Sequence, residues 1–305
     1  MKNNTKSVIA LGTFDGVHLG HQKIIAKLLS EAEKRNARPI IVTFFPHPTH
    51  VLTPDMPLKM INSIEERVVL LEKLGVKVIV EEFTKDFSKK TALTFIQENL
   101  LQELHMDCLI VGYDHRFGKG KEGDYDTLKV YGKKYNFDVI QVEAYQLESI
   151  ISSSTHIRHL INNGSIQTAN IFLDYPFCLF GTVVKGNQLG RKIGFKTANI
   201  KLDYPNKIIP KTGVYVGASI IEGSQYFAMI NIGYRPTVDG KTRTIEIHYF
   251  DFDANLYDQQ IGVQLISRIR DEVKFASIDA LRKQLNQDKI YALNYLKNYG
   301  KNKTK

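Results

Sequence analysis

Short apolar runs and helical stripes alternate through the first half of the chain. Apolar residues recur at helical spacing within segments 21–32, 63–75 and 95–104. In the second, Ser63 and Glu66 form a capping-box pattern and Gly75 is placed to end the helix. Runs with the composition of buried strands lie around these segments: Ser7–Leu11, Ile40–Phe45, Val76–Val80, Cys108–Val111 and Val139–Val142. The alternation predicts a parallel sheet covered on both faces, with ligands beyond the carboxyl ends of its strands.

The pattern changes in the second half. Residues 151–173 predict short helices broken at Gly164, and Asp174–Phe177 predicts a linker. Strand-like segments separated by turn-rich loops then predict a closed antiparallel barrel: Phe177–Val184, Gly213–Ile221, Tyr226–Ile232, Thr242–Phe250 and Gly262–Ile269. A terminal helix follows, capped by Ser277 and apolar along one face from Ile278 to Leu296. We therefore predict two domains, 1–173 and 177–305, as the length of 305 residues also favours.

Composition narrows the class of protein. The hydrophobic fraction of 43% and charged fraction of 24% are typical of globular domains. A net charge of +9 favours anionic partners: nucleic acid, an anionic membrane or phosphorylated small molecules. Cys108 and Cys178 each lie in an apolar run, which predicts buried free thiols and a cytoplasmic location. The apolar run after the basic start is too short for a secretory signal, and none is long enough to span a bilayer.

The first candidate site lies where the first strand meets the first helix, in the segment Gly12–His21 with the sequence GTFDGVHLGH. Glycines let the backbone approach a phosphate closely, and a helix N-terminus attracts an anion. His18 and His21 are three residues apart and project to one side, where they can stabilise charge on a reacting phosphoryl group. Zinc binding is an alternative for two histidines at this spacing, but no third ligand has clear spacing.

The segment resembles the signature of the nucleotidyltransferase superfamily, most closely the N-terminal module of prokaryotic bifunctional riboflavin kinase/FAD synthetases. The resemblance implies a Rossmann-like fold that converts FMN and ATP into FAD and pyrophosphate with Mg²⁺. It also implies catalysis by His18 and His21, and ATP contacts from Gly12, Thr13, Phe14, Asp15 and Gly20.

Three further segments resemble motifs of this module. Pro46, His47 and Pro48 match a flavin-binding loop, although Phe45 stands where an acidic residue is common. Residues 111–118 match a second loop; they imply ATP contacts from Gly112, Asp114 and Arg116, with Asp114 also near the flavin. The segment 153–158 matches a third motif, which implies phosphate contacts from Ser153, Ser154 and Thr155 and a catalytic Arg158; His156 replaces a usual arginine.

The second half resembles riboflavin kinase. A glycine-rich segment implies ATP contacts from Gly181, Lys185, Gly186, Gly190, Arg191 and Gly194. Thr197 and Asn199 follow as the implied Mg²⁺ ligands, with Lys196 in place of the usual proline. Alternation puts Thr244, Glu246 and His248 on one strand face, and the resemblance implies that Glu246 is the general base. Arg270 and Glu272 are implied flavin contacts, whereas Asn255 and Asp258 depart from the usual pattern.

The predicted fold class is α/β plus β: an N-terminal Rossmann-like nucleotidyltransferase domain, then a six-stranded antiparallel β-barrel with a C-terminal helix. The leading hypothesis is an enzyme that phosphorylates riboflavin and adenylates FMN. One alternative is an FAD synthetase with an impaired kinase barrel, and another is a non-catalytic nucleic-acid-binding regulator on the same scaffold. We expect ATP, FMN and riboflavin as small-molecule partners with Mg²⁺, no nucleic-acid or membrane partner, and a possible homo-oligomer.

Overall fold

The computed structural model of the chain describes residues 5–56, 58–186, 190, 194–237 and 240–302. Arg191, a predicted ATP contact, lies outside the described residues. The chain divides into two compact units, Met1–Ile157 and Arg158–Lys305. The domain bounds of 1–173 and 177–305 stay a prediction.

The first unit contains a five-stranded parallel sheet in the order β3-β2-β1-β4-β5. Its strands are β1 (Ser7–Leu11), β2 (Arg38–Phe45), β3 (Lys77–Glu82), β4 (Met106–Gly112) and β5 (Asp138–Val142). Each predicted run in this half lies in or overlaps one of them, so the parallel sheet is confirmed. The strand order reverses at β1, and loops that follow β1 and β4 therefore diverge and leave a crevice for a ligand.

Helices cover both faces of the sheet because alternate strand residues point to opposite sides. Val8 and Ala10 pack with residues of α1 (Leu19–Lys34) and α3 (Ile64–Glu72). Ile9 and Leu11 pack on the other side, against α4 (Ala92–Phe95), the π-helix Ile96–Glu103 that continues it, and α5 (Tyr125–Tyr135). The unit also contains α2 (Pro48–Leu52), the hairpin β6 (Gln146–Leu147) and β7 (Ile150–Ile151), and the start of α6 (Ser154–Asn163).

The second unit contains a closed barrel in the order β10-β11-β12-β9-β8-β13, with antiparallel neighbours. The six strands follow α7 (Ile166–Leu173): β8 (Cys178–Val184), β9 (Ala198–Leu202), β10 (Gly213–Ile221), β11 (Ser224–Thr237), β12 (Gly240–Tyr249) and β13 (Gln260–Arg270). The six-stranded barrel is confirmed. The predicted linker 174–177 joins α7 to β8 within this unit.

The terminal helix α8 (Ile278–Asn302) packs on the outer wall of the barrel. Its cap is the predicted one, since the Ser277 hydroxyl accepts the backbone N–H of Ala280 at 3.1 Å. Ala292 and Leu285 contact a cluster that includes Met229 and Phe250. Strand β12 places Ile245 and Ile247 in the barrel interior, so Glu246 and His248 point outward, as the alternation predicts.

Candidate active sites

The loop between β1 and α1 has unusual backbone geometry. Phe14, Gly16 and Val17 have φ angles of 48°, 89° and 38°, in the left-handed region. That region is unfavourable for a bulky or β-branched residue, so Phe14 and Val17 are strained. Both side chains are buried in the core below the loop, and this packing holds the backbone in place. Strain maintained by packing is common at sites that bind ligands.

The buried side chain of Asp15 fixes this loop against a neighbouring segment. Its carboxylate accepts the backbone N–H of Ile61 at 3.0 Å and that of Asn62 at 3.0 Å. In return, the Asn62 side-chain oxygen accepts the N–H of Gly16 at 2.9 Å. These bonds satisfy a carboxylate that is 0% exposed. They favour a supporting role for Asp15, and the ATP contact predicted for it stays a prediction.

His18 caps helix α1 with its side chain. The Gly20 N–H donates to the His18 Nδ1 atom at 3.1 Å. Because a backbone amide can only donate, Nδ1 must be the unprotonated nitrogen, and the proton of the neutral ring is on Nε2. The His21 ring stacks on His18 with its centroid 3.7 Å away. The cap therefore leaves His18 with an Nε2–H donor, beside a second imidazole.

The start of helix α6 lies against the same loop. The Ser152 hydroxyl is 3.2 Å from the His18 Nδ1 atom, and the Ser154 hydroxyl donates to the Asp15 carbonyl at 2.7 Å. A β-carbon on Gly20 would lie 2.8 Å from the Ser152 carbonyl oxygen, so this close approach requires glycine. The structure thus brings together the first and last motifs of the adenylyltransferase resemblance, which are more than 130 residues apart.

Two further predicted loops follow strands that neighbour β1. Pro46, His47 and Pro48 follow β2, and His47 caps α2 by accepting the Thr49 N–H at 3.1 Å. Gly112 ends β4, and Asp114 and Arg116 are exposed in the loop after it. Since all strands are parallel, these loops reach the same edge of the sheet as Gly12 and Thr13.

His115 lies between the two exposed residues of that second loop. Desolvation lowers its pKa to about 4, so its ring is neutral at pH 7.

The remaining predicted residues lie on α6 or just before it. Ser153 caps α6 by accepting the His156 N–H, and Thr155 is exposed. Arg158 is half-buried and is the first residue of the second unit. Their contacts with substrate stay predictions.

Sequence reasoning missed three residues that support the first site: Asn62, Ser152 and Arg67. Arg67 is 2% exposed and donates to the Thr43 hydroxyl at 3.4 Å, which in turn donates to the Thr13 carbonyl at 3.2 Å. The sequence did contain a signal for Arg67, because this arginine lies within the otherwise apolar stripe of α3. A cation at such a position has to be satisfied inside the fold.

The second site is a row of polar side chains on the outer wall of the barrel. Strand register places Asn199, Glu246 and Asn231 directly side by side on β9, β12 and β11. Directly paired residues of antiparallel strands face the same side. The row therefore brings a predicted metal ligand next to the predicted general base. Asn231 was not among the residues to which the resemblance assigned a role.

Arg235 forms an ion pair with Glu246, the predicted general base. Its Nη2 atom donates to the Glu246 Oε1 atom at 2.8 Å and lies 3.4 Å from the Asn199 Oδ1 atom. Both charged side chains are about 30% exposed, at 29% and 28%. The ion pair holds the carboxylate in place, and its partial exposure lets an incoming substrate compete for it.

The residues around Thr197 and Asn199 fit a magnesium ion bound together with phosphates. Both side chains offer hard oxygen atoms. A β-carbon on Gly186 would lie 2.2 Å from the Asn199 amide, so only glycine lets the backbone approach this ligand so closely. Among the described residues, no group of three or more His, Cys, Asp or Glu side chains could hold a metal unaided.

Two open pockets meet at Thr197. The first, of 240 Å³, has an apolar lining with Glu246 on its wall and lies between the barrel and the start of α8; its other residues include Val214, Met229, Phe275, Leu281 and Leu285. The second, of 460 Å³, is more polar and includes Lys196 and the loop 252–257. The predicted flavin residues Arg270 and Glu272 line the first pocket. The second pocket identifies 252–257 as candidate binding residues that the sequence had not assigned.

Two departures from the kinase pattern have visible consequences. Lys196 forms an ion pair of 2.5 Å with Asp253, and its carbonyl lies 2.8 Å from the His248 Nδ1 atom. Asp258 has a φ of 65°, in the region that suits the glycine usual at this position. Among the predicted ATP contacts, Gly181 lies inside strand β8, whereas Lys185 and Gly194 are exposed.

Comparisons with known proteins match the two halves of the chain to two different families. The family model for FAD synthetase matches residues 1–156, and that for riboflavin kinase matches residues 173–296. The chain is 36% identical to the bifunctional riboflavin kinase/FMN adenylyltransferase of Bacillus subtilis, over 98% of this chain and 96% of that protein. It is 35% identical to the protein of the same name from Haemophilus influenzae, over 92% and 91% of the two chains.

A solved structure has the same fold. The crystal structure titled macrolide-efflux protein from Streptococcus pneumoniae matches with a TM-score of 0.88 and 33% identity, over 96% of this chain and 98% of that one. Within the part of our chain that the structure describes, no helix is long and apolar enough to cross a membrane.

Proposed function

The chain belongs to the family of bifunctional riboflavin kinase/FMN adenylyltransferases, and we propose how its two domains divide the two reactions. The barrel transfers the γ-phosphate of ATP to riboflavin, giving FMN. The N-terminal domain transfers AMP from a second ATP to FMN, giving FAD and pyrophosphate. The observation that carries the assignment is that each domain gathers its own phosphate-reactive groups: His18 and His21 in one, Thr197, Asn199 and Glu246 in the other.

In the adenylyl transfer, an FMN phosphate oxygen attacks the α-phosphorus of ATP while the bond to the β-phosphate oxygen breaks. No covalent enzyme intermediate is needed, so the protein contributes positioning and charge stabilisation. The Nε2–H of His18 donates to a phosphoryl oxygen that gains charge, and His21 acts beside it. The serine-rich start of α6 and Arg158 bind the departing pyrophosphate.

In the kinase reaction, the riboflavin 5′-hydroxyl attacks the γ-phosphorus while the bond to the β-phosphate oxygen breaks and ADP leaves. The proton of the hydroxyl passes to the Glu246 carboxylate. Glu246 faces the apolar pocket, which suits the flavin ring, whereas the neighbouring polar pocket suits the nucleotide. The ion pair with Arg235 orients the Glu246 carboxylate until substrate arrives. Thr197 and Asn199 would hold magnesium, which would neutralise negative charge on the phosphates.

Both reactions draw on ATP, and both cysteines are free thiols, which supports a cytoplasmic location. Cys108 is buried as predicted, whereas Cys178 is only half-buried. The absence of a nucleic-acid or membrane partner and the possible homo-oligomer stay predictions.

Product chromatography over time tests the proposal. With riboflavin, ATP and Mg²⁺, we expect FMN to appear first and FAD to follow. Glu246→Gln should slow FMN formation by about 10²–10⁴-fold but still convert supplied FMN to FAD. His21→Ala should show the reverse pattern, with FMN accumulating. If wild-type enzyme makes FAD from FMN but no FMN from riboflavin, the barrel is impaired and only the adenylyltransferase stands. If FAD forms from neither substrate, the proposal fails.

A further inference from the structure

Arg270, at the end of β13, is held by its neighbours in the protein. Its Nε atom donates to the Asp288 carboxylate at 2.9 and 3.1 Å, and its Nη2 atom donates to the same group at 2.6 Å. The remaining Nη1 atom donates to the Asp271 carbonyl at 2.9 Å. All three nitrogens thus have acceptors within the protein, and the fork of the guanidinium matches the carboxylate.

Asp288 needs this partner. It is 2% exposed on helix α8, and among the described residues its one other hydrogen-bond donor is Gln284, at 2.9 Å. An ionised carboxylate at such a depth is stable only when it is paired and hydrogen-bonded. Transferring the guanidinium to a ligand would leave the carboxylate buried without its cation. The pairing therefore opposes any flavin contact that would draw the Arg270 guanidinium away from Asp288.

The ion pair between Arg270 and Asp288, which we call the clamp, lies beside the apolar pocket. Leu281 and Leu285 of α8 form one wall of that pocket, and Asp288 lies one turn beyond Leu285 on the same helix face. The Arg270 guanidinium also lies 5.9 Å from the Phe275 ring centroid, and Phe275 lines the pocket too. One ion pair therefore fixes both the helix and the segment that leads into it.

We propose that Arg270 is a positioning residue. Together with Asp288 it sets the distance between α8 and the barrel, and therefore the width of the apolar pocket that receives the flavin ring. This inference rests on the proposed kinase function of the barrel. It predicts that Asp288, which lies outside the predicted site, matters for riboflavin binding as much as Arg270 does.

The test compares Arg270→Ala, Asp288→Ala and the double variant in the full chain. Each single variant should raise the KM for riboflavin about tenfold, equivalent to about 1.4 kcal/mol, with kcat and the KM for ATP changed less than about twofold. The double variant should be no worse than Arg270→Ala, because it removes the carboxylate that Arg270→Ala leaves unpaired. Quenching of riboflavin fluorescence should give the same order of affinities without turnover.

Asp279→Ala is the matched control, since Asp279 is an exposed acid on the same helix; its KM for riboflavin should equal that of wild type. A cooperative thermal unfolding transition of the barrel reports that each variant is folded, because adenylyl transfer belongs to the other domain. If Asp288→Ala misfolds, Asp288→Asn decides, because it keeps the volume and one acceptor. Wild-type riboflavin affinity in a folded Asp288 variant, with a loss only in Arg270→Ala, would mean direct flavin contact and overturn the clamp. A wild-type chain that neither binds nor phosphorylates riboflavin would instead refute the kinase function.

Discussion

Replacing His18 by asparagine or alanine separates two roles of its imidazole. Nδ1 accepts the Gly20 N–H and caps helix α1, while Nε2 carries the proton that we assign to the reacting phosphate. Asparagine is among the best N-cap residues, so His18→Asn retains an acceptor for the helix but has no donor at the position of Nε2. Alanine removes both functions.

The structure sets the expected magnitudes. Loss of a helix cap costs about 1 kcal/mol of unfolding free energy, so His18→Ala should be less stable than His18→Asn by about that amount. Loss of one donor to a developing oxyanion reduces kcat about 10²–10³-fold, or about 2.7–4 kcal/mol, and both variants should lose this much.

The assay measures pyrophosphate release from FMN and ATP, together with thermal melting of the N-terminal domain. Riboflavin phosphorylation by the barrel of the same molecule is the internal control and should stay at the wild-type rate. An asparagine variant with wild-type adenylyl transfer would refute the role of Nε2. Equal melting temperatures for the two variants would refute the role of Nδ1 as the cap.

Two further predictions concern stability. Asp258 has a φ of 65°, so Asp258→Gly should be at least as stable as wild type in urea denaturation, whereas Asp258→Ala should lose about 1 kcal/mol. A glycine variant that is less stable than the alanine variant would contradict the strain. Hydrogen bonds from Lys27 and Lys34 lower the pKa of Glu31 from 4.5 to about 2. The ionised form therefore stabilises the fold above pH 4.5, and this contribution is lost as the pH falls towards 2. Melting curves of Glu31→Gln should lie below wild type at pH 7 and converge with it near pH 2; a constant difference would exclude this cause.

Most of the fold could be predicted from the sequence, because the spacing of apolar residues indicates which positions are buried. Strand β1 was predicted to the residue, and the helix covering it follows from its apolar stripe. Strand β9 was not among the predicted segments, since its five residues pair with β8 and β12 and carry too short an alternation. Helix α5 was also missed: only Leu128 and Gly132 of its eleven residues are buried, and the side chains that pack beside Leu128 are the tyrosines Tyr125, Tyr131 and Tyr135, whose polar hydroxyls make the stripe less distinct.

The candidate sites were predicted as positions, but their contacts were not. Motif resemblance indicated Glu246, yet its ion pair with Arg235 depends on the register of β11 and β12. The resemblance indicated Arg270, yet its partner Asp288 lies 18 residues away on a helix. Such partnerships leave no periodic signal in one sequence, because they arise only when separate elements pack.

Burial separates the acidic residues that support a site from those that can react. Asp15 and Asp288 are 0% and 2% exposed, and both are held by several donors within the protein. A carboxylate in that state is costly to expose or to leave unpaired, so it serves the fold. Glu246, whose side chain is 28% exposed at the edge of a pocket, has a single arginine partner that solvent or substrate can replace. A general base must exchange a proton with an incoming group, and of these three acids only Glu246 has that access.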